Sequence, residues 1–169
     1  MLKVGITGGI GSGKTTVSRI FESIGIPVYY ADDRAKWLMK NDAQIVRKIK
    51  KAFGEEAYTS EGELNRTFLA DRVFGDEEQL RRLNRIVHPA VRRDADHWHL
   101  NQSGVPYTLK EAALLFESGS YRYLDRIISV TAPRALRIKR VMKRDGVSRG
   151  KVLARIEHQI PEAEKVRRS

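Results

Sequence analysis

The stretch GITGGIGSGKTT, Gly5 to Thr16, constrains this chain more than any other part of it. Four glycines, Gly8, Gly9, Gly11 and Gly13, fall in the six positions before Lys14, and Gly8 to Thr15 satisfies G-x-x-x-x-G-K-[ST]. The short apolar run LKVGIT precedes the loop and reads as a buried strand. KTTVSRIFESIG follows it, with Val17, Ile20, Phe21 and Ile24 at the spacing of one helical face. Strand, glycine loop and helix in that order form a phosphate cradle. Residues without Cβ let the backbone curl around an anion with its N–H groups pointing inward. The helix N-terminus adds a favourable positive end. In this pattern Gly11, Ser12 and Gly13 form the wall and Lys14 reaches the β- and γ-phosphates. The Thr15 hydroxyl holds Mg²⁺, and Thr16 faces the α-phosphate from the first turn. The loop therefore predicts a nucleoside triphosphate with Mg²⁺, and leaves the phosphoryl acceptor open.

Beyond Gly25, where the helix is expected to stop, IPVYY reads as a second strand, followed at once by ADDRAK. Such a βαβ opening predicts an α/β domain with a mostly parallel sheet and helices on both faces. From Asp33 to about Leu100 the character changes to charged, helical segments with the loop GEEAYTSEGEL between them, which reads as a helical insertion. The sheet is expected to resume at PYTLKEAALLFES, with Ala113–Glu117 as an apolar strand end, and again at RIISVTA. Two basic helices joined at Asp145-Gly146 follow.

The 169 residues suit one domain, and 41% hydrophobic with 31% charged residues argue against a disordered chain. No apolar run approaches the ~20 residues of a spanning helix, so no membrane association is expected. Met1-Leu2-Lys3 leads straight into the first strand, so no signal peptide is expected. The absence of cysteine fits a reducing cytoplasm. The net charge of +11 is uneven. Residues 134–169 hold 12 Lys or Arg against 4 Asp or Glu, a net of +8. Such a segment can bind nucleic acid, clamp a polyphosphate, or form a solvated helical face.

A switch GTPase needs D-x-x-G after a strand and N-K-x-D for guanine, and neither occurs in the chain. A small kinase fits better. It needs a group to position the acceptor hydroxyl, an acceptor pocket and a cationic lid. Asp32 and Asp33 follow the second strand, and loops at the carboxyl ends of parallel strands converge on one crevice. Each could equally cap the helix that follows. The 33–100 region offers the pocket. Arg137, Arg140 and Arg144, at i, i+3, i+7, offer the lid face or a solvated stripe. Glu117 is a candidate for the magnesium hydration shell or for steering the substrate.

The pieces GITGGIGSGKTT, VYYADDRAK, LNRIVHPAVR, EAALLFESGSY, LRIKRVMKRDGVSR and RIEHQI occur in this order over nearly the whole chain. Together they resemble the dephospho-CoA kinase family. The resemblance implies a P-loop kinase-like α/β fold: a parallel sheet flanked by helices, with a helical CoA-binding insertion and a lid. Residues 1–32 and 105–136 would form the nucleotide core, 33–104 the insertion and 137–158 the lid. It implies transfer of the ATP γ-phosphoryl to the ribose 3′-hydroxyl of dephospho-CoA with Mg²⁺, in a monomer or small homo-oligomer without nucleic acid. The family base, the second acid of Asp-Ala-Asp, falls on Asp32, and Tyr30 replaces the first acid. Thr7 matches a position near the transferring phosphate, Arg140 matches the lid arginine, and Arg144 lies one turn further on the same helix. His88 falls in the family HP element, in a supporting or ligand-contacting role. Ala113 replaces the proline of the family PLLFE. Family members continue past EKVRRS, so the chain is expected to stop before a last strand and helix. The remaining readings are a P-loop kinase of another nucleoside or small metabolite, and a nucleic-acid-binding ATPase that uses the basic tail.

Overall fold

The computed structural model describes residues 1–169, which divide into two compact units, Met1–Tyr30 with Trp98–Ser169, and Ala31–His97. The first unit is an α/β layer. Strands β1 (Leu2–Thr7), β2 (Val28–Tyr30), β3 (Tyr107–Glu111) and β4 (Arg126–Ser129) form one parallel sheet in the order β2-β3-β1-β4. From Val4 to Thr7 every residue of β1 is buried, as expected of an inner strand covered on both faces. Val4, Ile26 and Leu109 form a core cluster closed by Phe21, Val28, Tyr107 and Ile128. Tyr29 on β2 packs on Trp98 at 5.5 Å between ring centroids. Helix α1 (Lys14–Ser23) connects the glycine loop to β2.

The sheet departs from the sequence reading at one consequential place. The apolar run Ala113–Glu117 is not a strand. β3 ends at Glu111, opposite Ile6, and the last ladder bond runs from Ala112 N–H to the Ile6 carbonyl. β1 turns into the glycine loop at Gly8, so beyond Glu111 no backbone partner continues the ladder. The chain folds instead into turns that bury Leu115 and Phe116.

The end of this unit is helical. α6 (Arg134–Asp145) and α7 (Arg149–Glu157) share a core of Ile138, Val141 and Val152, against which Ile10 of the glycine loop also packs. Asp145 ties the turn between them. It accepts from the guanidinium of Arg144 at 2.7 and 3.2 Å and from Arg155 at 2.7 Å. These two arginines hold its carboxyl down at about 2. The short helix α8 (Glu162–Arg167) follows, with Lys165 1% exposed.

The second unit is helical: α2 (Ala31–Asn41), α3 (Ala43–Phe53), α4 (Arg66–Val73) and most of α5 (Glu77–Leu100). Asp42 and Asn65 cap α3 and α4 by accepting from first-turn N–H groups. Arg34 forks onto Asp94 at 2.9 and 2.7 Å, joining α2 to α5. Tyr58 donates to the Met39 carbonyl at 2.6 Å. The loop Gly54–Leu64 carries a 3-10 turn and a single bridge, Tyr58 to Leu64. No helix of the chain is long and apolar enough to cross a membrane.

Candidate active site

The glycine loop closes the carboxyl end of β1, and its shape follows from backbone that only glycine tolerates. A Cβ on Gly8 would meet the Val130 carbonyl oxygen at 2.1 Å, so the loop presses directly onto the segment after β4. Gly13, at φ 101, starts α1 from a left-handed conformation and offers no side-chain cap. The first-turn N–H groups of a helix have no partner within the helix, and here the N-cap residue, a glycine, supplies no side chain to cap them. This is the arrangement that receives a phosphate.

Beside this N-terminus stands an acid that sequence reasoning missed. Glu111, 9% exposed at the end of β3, accepts a hydrogen bond from the Thr15 hydroxyl at 3.3 Å. Glu117 lies elsewhere. Its carboxylate takes the Lys165 ammonium at 2.8 Å and the Ile160 N–H at 3.0 Å, and the same ammonium donates to the Ala113 carbonyl at 3.2 Å. Glu117 thus anchors α8 to the turns after β3. The signal for Glu111 was the shortness of β1. A neighbouring strand can run no further than the loop allows, which places the strand-end acid at 111.

The Thr15 hydroxyl and the Glu111 carboxylate are hard oxygen donors side by side. No group of three or more His, Cys, Asp or Glu is arranged to hold a metal ion. One hydroxyl and one carboxylate, completed by phosphate oxygens and water, suit Mg²⁺, which is seldom held by an all-protein cage. Thr7 Oγ1 and Ser12 Oγ are buried without a hydrogen-bond partner, and they bracket the same loop. Buried polar groups are almost always paired, so unpaired ones at a phosphate loop fit a site that a ligand completes.

Cations approach the loop from α6. Arg140 brings its guanidinium within 3.5 Å of the Gly11 carbonyl and 3.4 Å of the Ser12 carbonyl. Arg137 is 6% exposed and pairs with Glu162 at 3.2 Å. Arg144 is turned away to Asp145, so the three-arginine stripe divides into two residues at the loop and one in the turn between α6 and α7. Tyr30, opposite Glu111 in the sheet, donates to Glu22 at 2.9 Å. Burial, then the Glu22 carboxylate, push its phenol up to about 12, so it stays neutral beside Glu111.

The structure therefore brings together Thr7, Gly11, Ser12, Gly13, Lys14, Thr15, Thr16 and Arg140 in one unit. Asp32 and His88 belong to the helical unit. Asp32 is exposed in the first turn of α2, next to Asp33, which holds Lys36 at 2.8 Å. His88 is exposed on α5, immediately before Pro89.

Residues 2–169 match the dephospho-CoA kinase family model. The chain belongs to the dephospho-CoA kinase family. A dephospho-CoA kinase of Salinibacter ruber is 46% identical over 97% of the chain and 83% of its own length. One of Geobacillus kaustophilus is 38% identical over 99% and 85%. Among solved structures, a Thermus thermophilus protein is 40% identical with a TM-score of 0.87, covering 99% of the chain and 85% of its own. The dephospho-CoA kinase of Campylobacter jejuni is 28% identical with a TM-score of 0.69, covering 99% and 84%. The fold is accordingly that of a P-loop kinase, and the family to which the chain belongs is one of kinases.

Proposed function

We propose that this chain transfers the γ-phosphoryl group of ATP to the ribose 3′-hydroxyl of dephospho-CoA, giving coenzyme A. The observation that carries the reading is the Thr15–Glu111 oxygen pair at the mouth of the glycine loop, faced by Arg140 on α6. Lys14 and the loop N–H groups hold the β- and γ-phosphates, with Thr16 at the α-phosphate and Thr7 beneath the transferring group. The Thr15 hydroxyl would hold Mg²⁺, with the Glu111 carboxylate beside it. When bound, the metal neutralises charge on the β- and γ-phosphate oxygens.

The helical unit supplies the acceptor side. Asp32 orients the 3′-hydroxyl and takes its proton as the oxygen attacks phosphorus in line. His88 supports the acceptor on α5. Arg140 exchanges its long carbonyl contacts for oxygens of the transferring phosphoryl, where charge develops. A loose phosphoryl transfer asks for positioning and charge stabilisation more than covalent help. α6 and α7 serve as the lid, with Arg144 fastening its turn through Asp145. The absence of cysteine and the use of ATP favour a cytoplasmic place.

In the basic tail Arg137, Arg144, Arg155, Lys165, Arg167 and Arg168 share four acids, Glu162, Asp145, Glu117 and Glu164, so the segment keeps most of its net positive charge and a nucleic-acid ATPase is the rival reading that experiment separates. The kinase reading is tested by ADP release over a panel of acceptors: dephospho-CoA, nucleosides, nucleotides and other small alcohols. ADP release that depends on dephospho-CoA and ignores added DNA or RNA supports it. Release that follows another acceptor, or that polynucleotide stimulates, contradicts it.

A further inference from the structure

The outer side of the glycine loop is held by elements that follow the sheet. Ile10 N–H donates to the side-chain carbonyl of Gln159 at 2.9 Å, just after α7. A Cβ on Gly11 would meet the Arg137 carbonyl oxygen at 2.6 Å and Val141 at 2.9 Å. A Cβ on Gly9 would lie 2.0 Å from an Nη of Arg137. Gly9 has no left-handed backbone to explain it, unlike Gly11 at φ 78 and Gly13 at φ 101. A Cβ at position 9 would therefore push aside the guanidinium, the end of a side chain that Glu162 holds over the loop. That guanidinium is 6% exposed, its second Nη pairs with Glu162 at 3.2 Å, and its Nε is buried without a partner. Glu162 is placed in turn by the segment after α7, where Ile160 N–H donates to Glu117, and by the segment after β4, where Ala132 N–H donates to Glu162 at 3.4 Å.

We infer that Arg137 and Glu162 are a positioning pair for the nucleotide phosphates, acting through Gly9–Gly11 rather than by contact with the reacting atoms. Glu162 sets the plane of the guanidinium, the guanidinium seats Gly9, and the α6 backbone beside it seats Gly11. The loop N–H groups then keep the curvature that receives a phosphate before any nucleotide arrives. A planar fork can bridge Gly9 and Glu162 at once, which a lysine ammonium cannot. The inference rests on the ATP-binding part of the proposed function and is independent of which acceptor is used.

The test is a double-mutant cycle read by calorimetric binding of a non-hydrolysable ATP analogue with Mg²⁺, without acceptor. Arg137→Met, Glu162→Gln and Gly9→Ala are each expected to weaken that binding by roughly 10-fold, the loss of one charge-assisted contact. The Gly9→Ala/Arg137→Met double variant should lose no more than either single, since the added methyl and the lost guanidinium undo the same contact. In turnover, the KM for ATP should rise while the KM for the acceptor stays unchanged. Unaltered analogue binding in folded Glu162→Gln and Gly9→Ala overturns the inference. So do additive losses in the double variant, or an acceptor KM that rises in step with that for ATP. Should Arg137→Met fail to fold, Glu162→Gln and Gly9→Ala still decide the matter, because Glu162 is partly exposed and Gly9 has an ordinary backbone. Failure of dephospho-CoA as acceptor with the binding pattern intact would refute the proposed substrate alone.

Discussion

The phosphate loop and the helical unit are built on different plans. Around the loop the supporting groups are packed: Thr7 and Ser12 are buried, Glu111 is held by Thr15, and Arg137 lies on Gly9, while Thr15, Thr16 and Arg140 themselves are exposed. In Ala31–His97 the fixed contacts hold helices together, as Arg34 does on Asp94 and Tyr58 on the Met39 carbonyl. The residues assigned to chemistry there, Asp32 and His88, are exposed. On the proposed function, the loop works through a shape that buried partners maintain, whereas the helical unit works through single exposed side chains. A substitution near the loop should alter ATP binding and turnover together. One in the helical unit should remove chemistry and leave ATP binding intact.

The largest expected effect is at Lys14. Lys14→Met should lower kcat/KM by about 10³-fold, the scale of losing a preorganised charge at the transition state, and should weaken ATP binding as well. Turnover kinetics with parallel nucleotide titration read both, and a loss in turnover alone would blur the contrast between the units. Asp32→Asn comes next, with turnover falling ~10²-fold if the carboxylate serves as base and ATP affinity nearly unchanged. Near-normal turnover in this variant would remove Asp32 from the mechanism.

A smaller change sharpens the loop side. Glu111→Gln keeps an acceptor for Thr15 and removes the charge. The Mg²⁺ concentration needed for half-maximal rate should rise ~10-fold, as for other outer-shell metal partners, with Glu117→Gln showing no such shift. The smallest effect is in the turn between α6 and α7. The Asp145 carboxyl is held down at about 2 by Arg144 and Arg155. Its contribution to the turn is complete above the ordinary carboxylate value near 4 and is lost as the pH falls through about 2. Amide exchange at Gly146 and Val147 should therefore quicken between those values in the wild type, while Asp145→Asn should exchange faster at neutral pH with no such step. An unchanged acid profile in the variant would show that the ion pairs do not fasten the turn.

Much of this was legible in the sequence because backbone-determined features leave strict residue patterns. The β1–loop–α1 unit follows from glycines at set spacing and one helical apolar stripe. The charged helices from Asp33 onward follow from their own periodicity. Glu111 was hidden because strand length is a tertiary property. Ala112 to Phe116 are apolar enough to continue a strand, and only the end of β1 at the glycine loop stops them. Arg137 was visible as one of three evenly spaced arginines, yet spacing could not say that it would be buried on Gly9 while Arg144 turned to its neighbour Asp145. Glu117 and Lys165 are far apart in sequence, and nothing local announces their pairing.

The central claim is a phosphoryl transfer to one hydroxyl, and phosphorus NMR of the reaction mixture tests it most directly. With Mg²⁺, ATP and dephospho-CoA, the account predicts that the ATP γ signal falls as a ribose 3′-monoester signal rises in equal amount, with ADP as the only other new phosphorus species. Free phosphate in place of the monoester, or a monoester at another position, would contradict it.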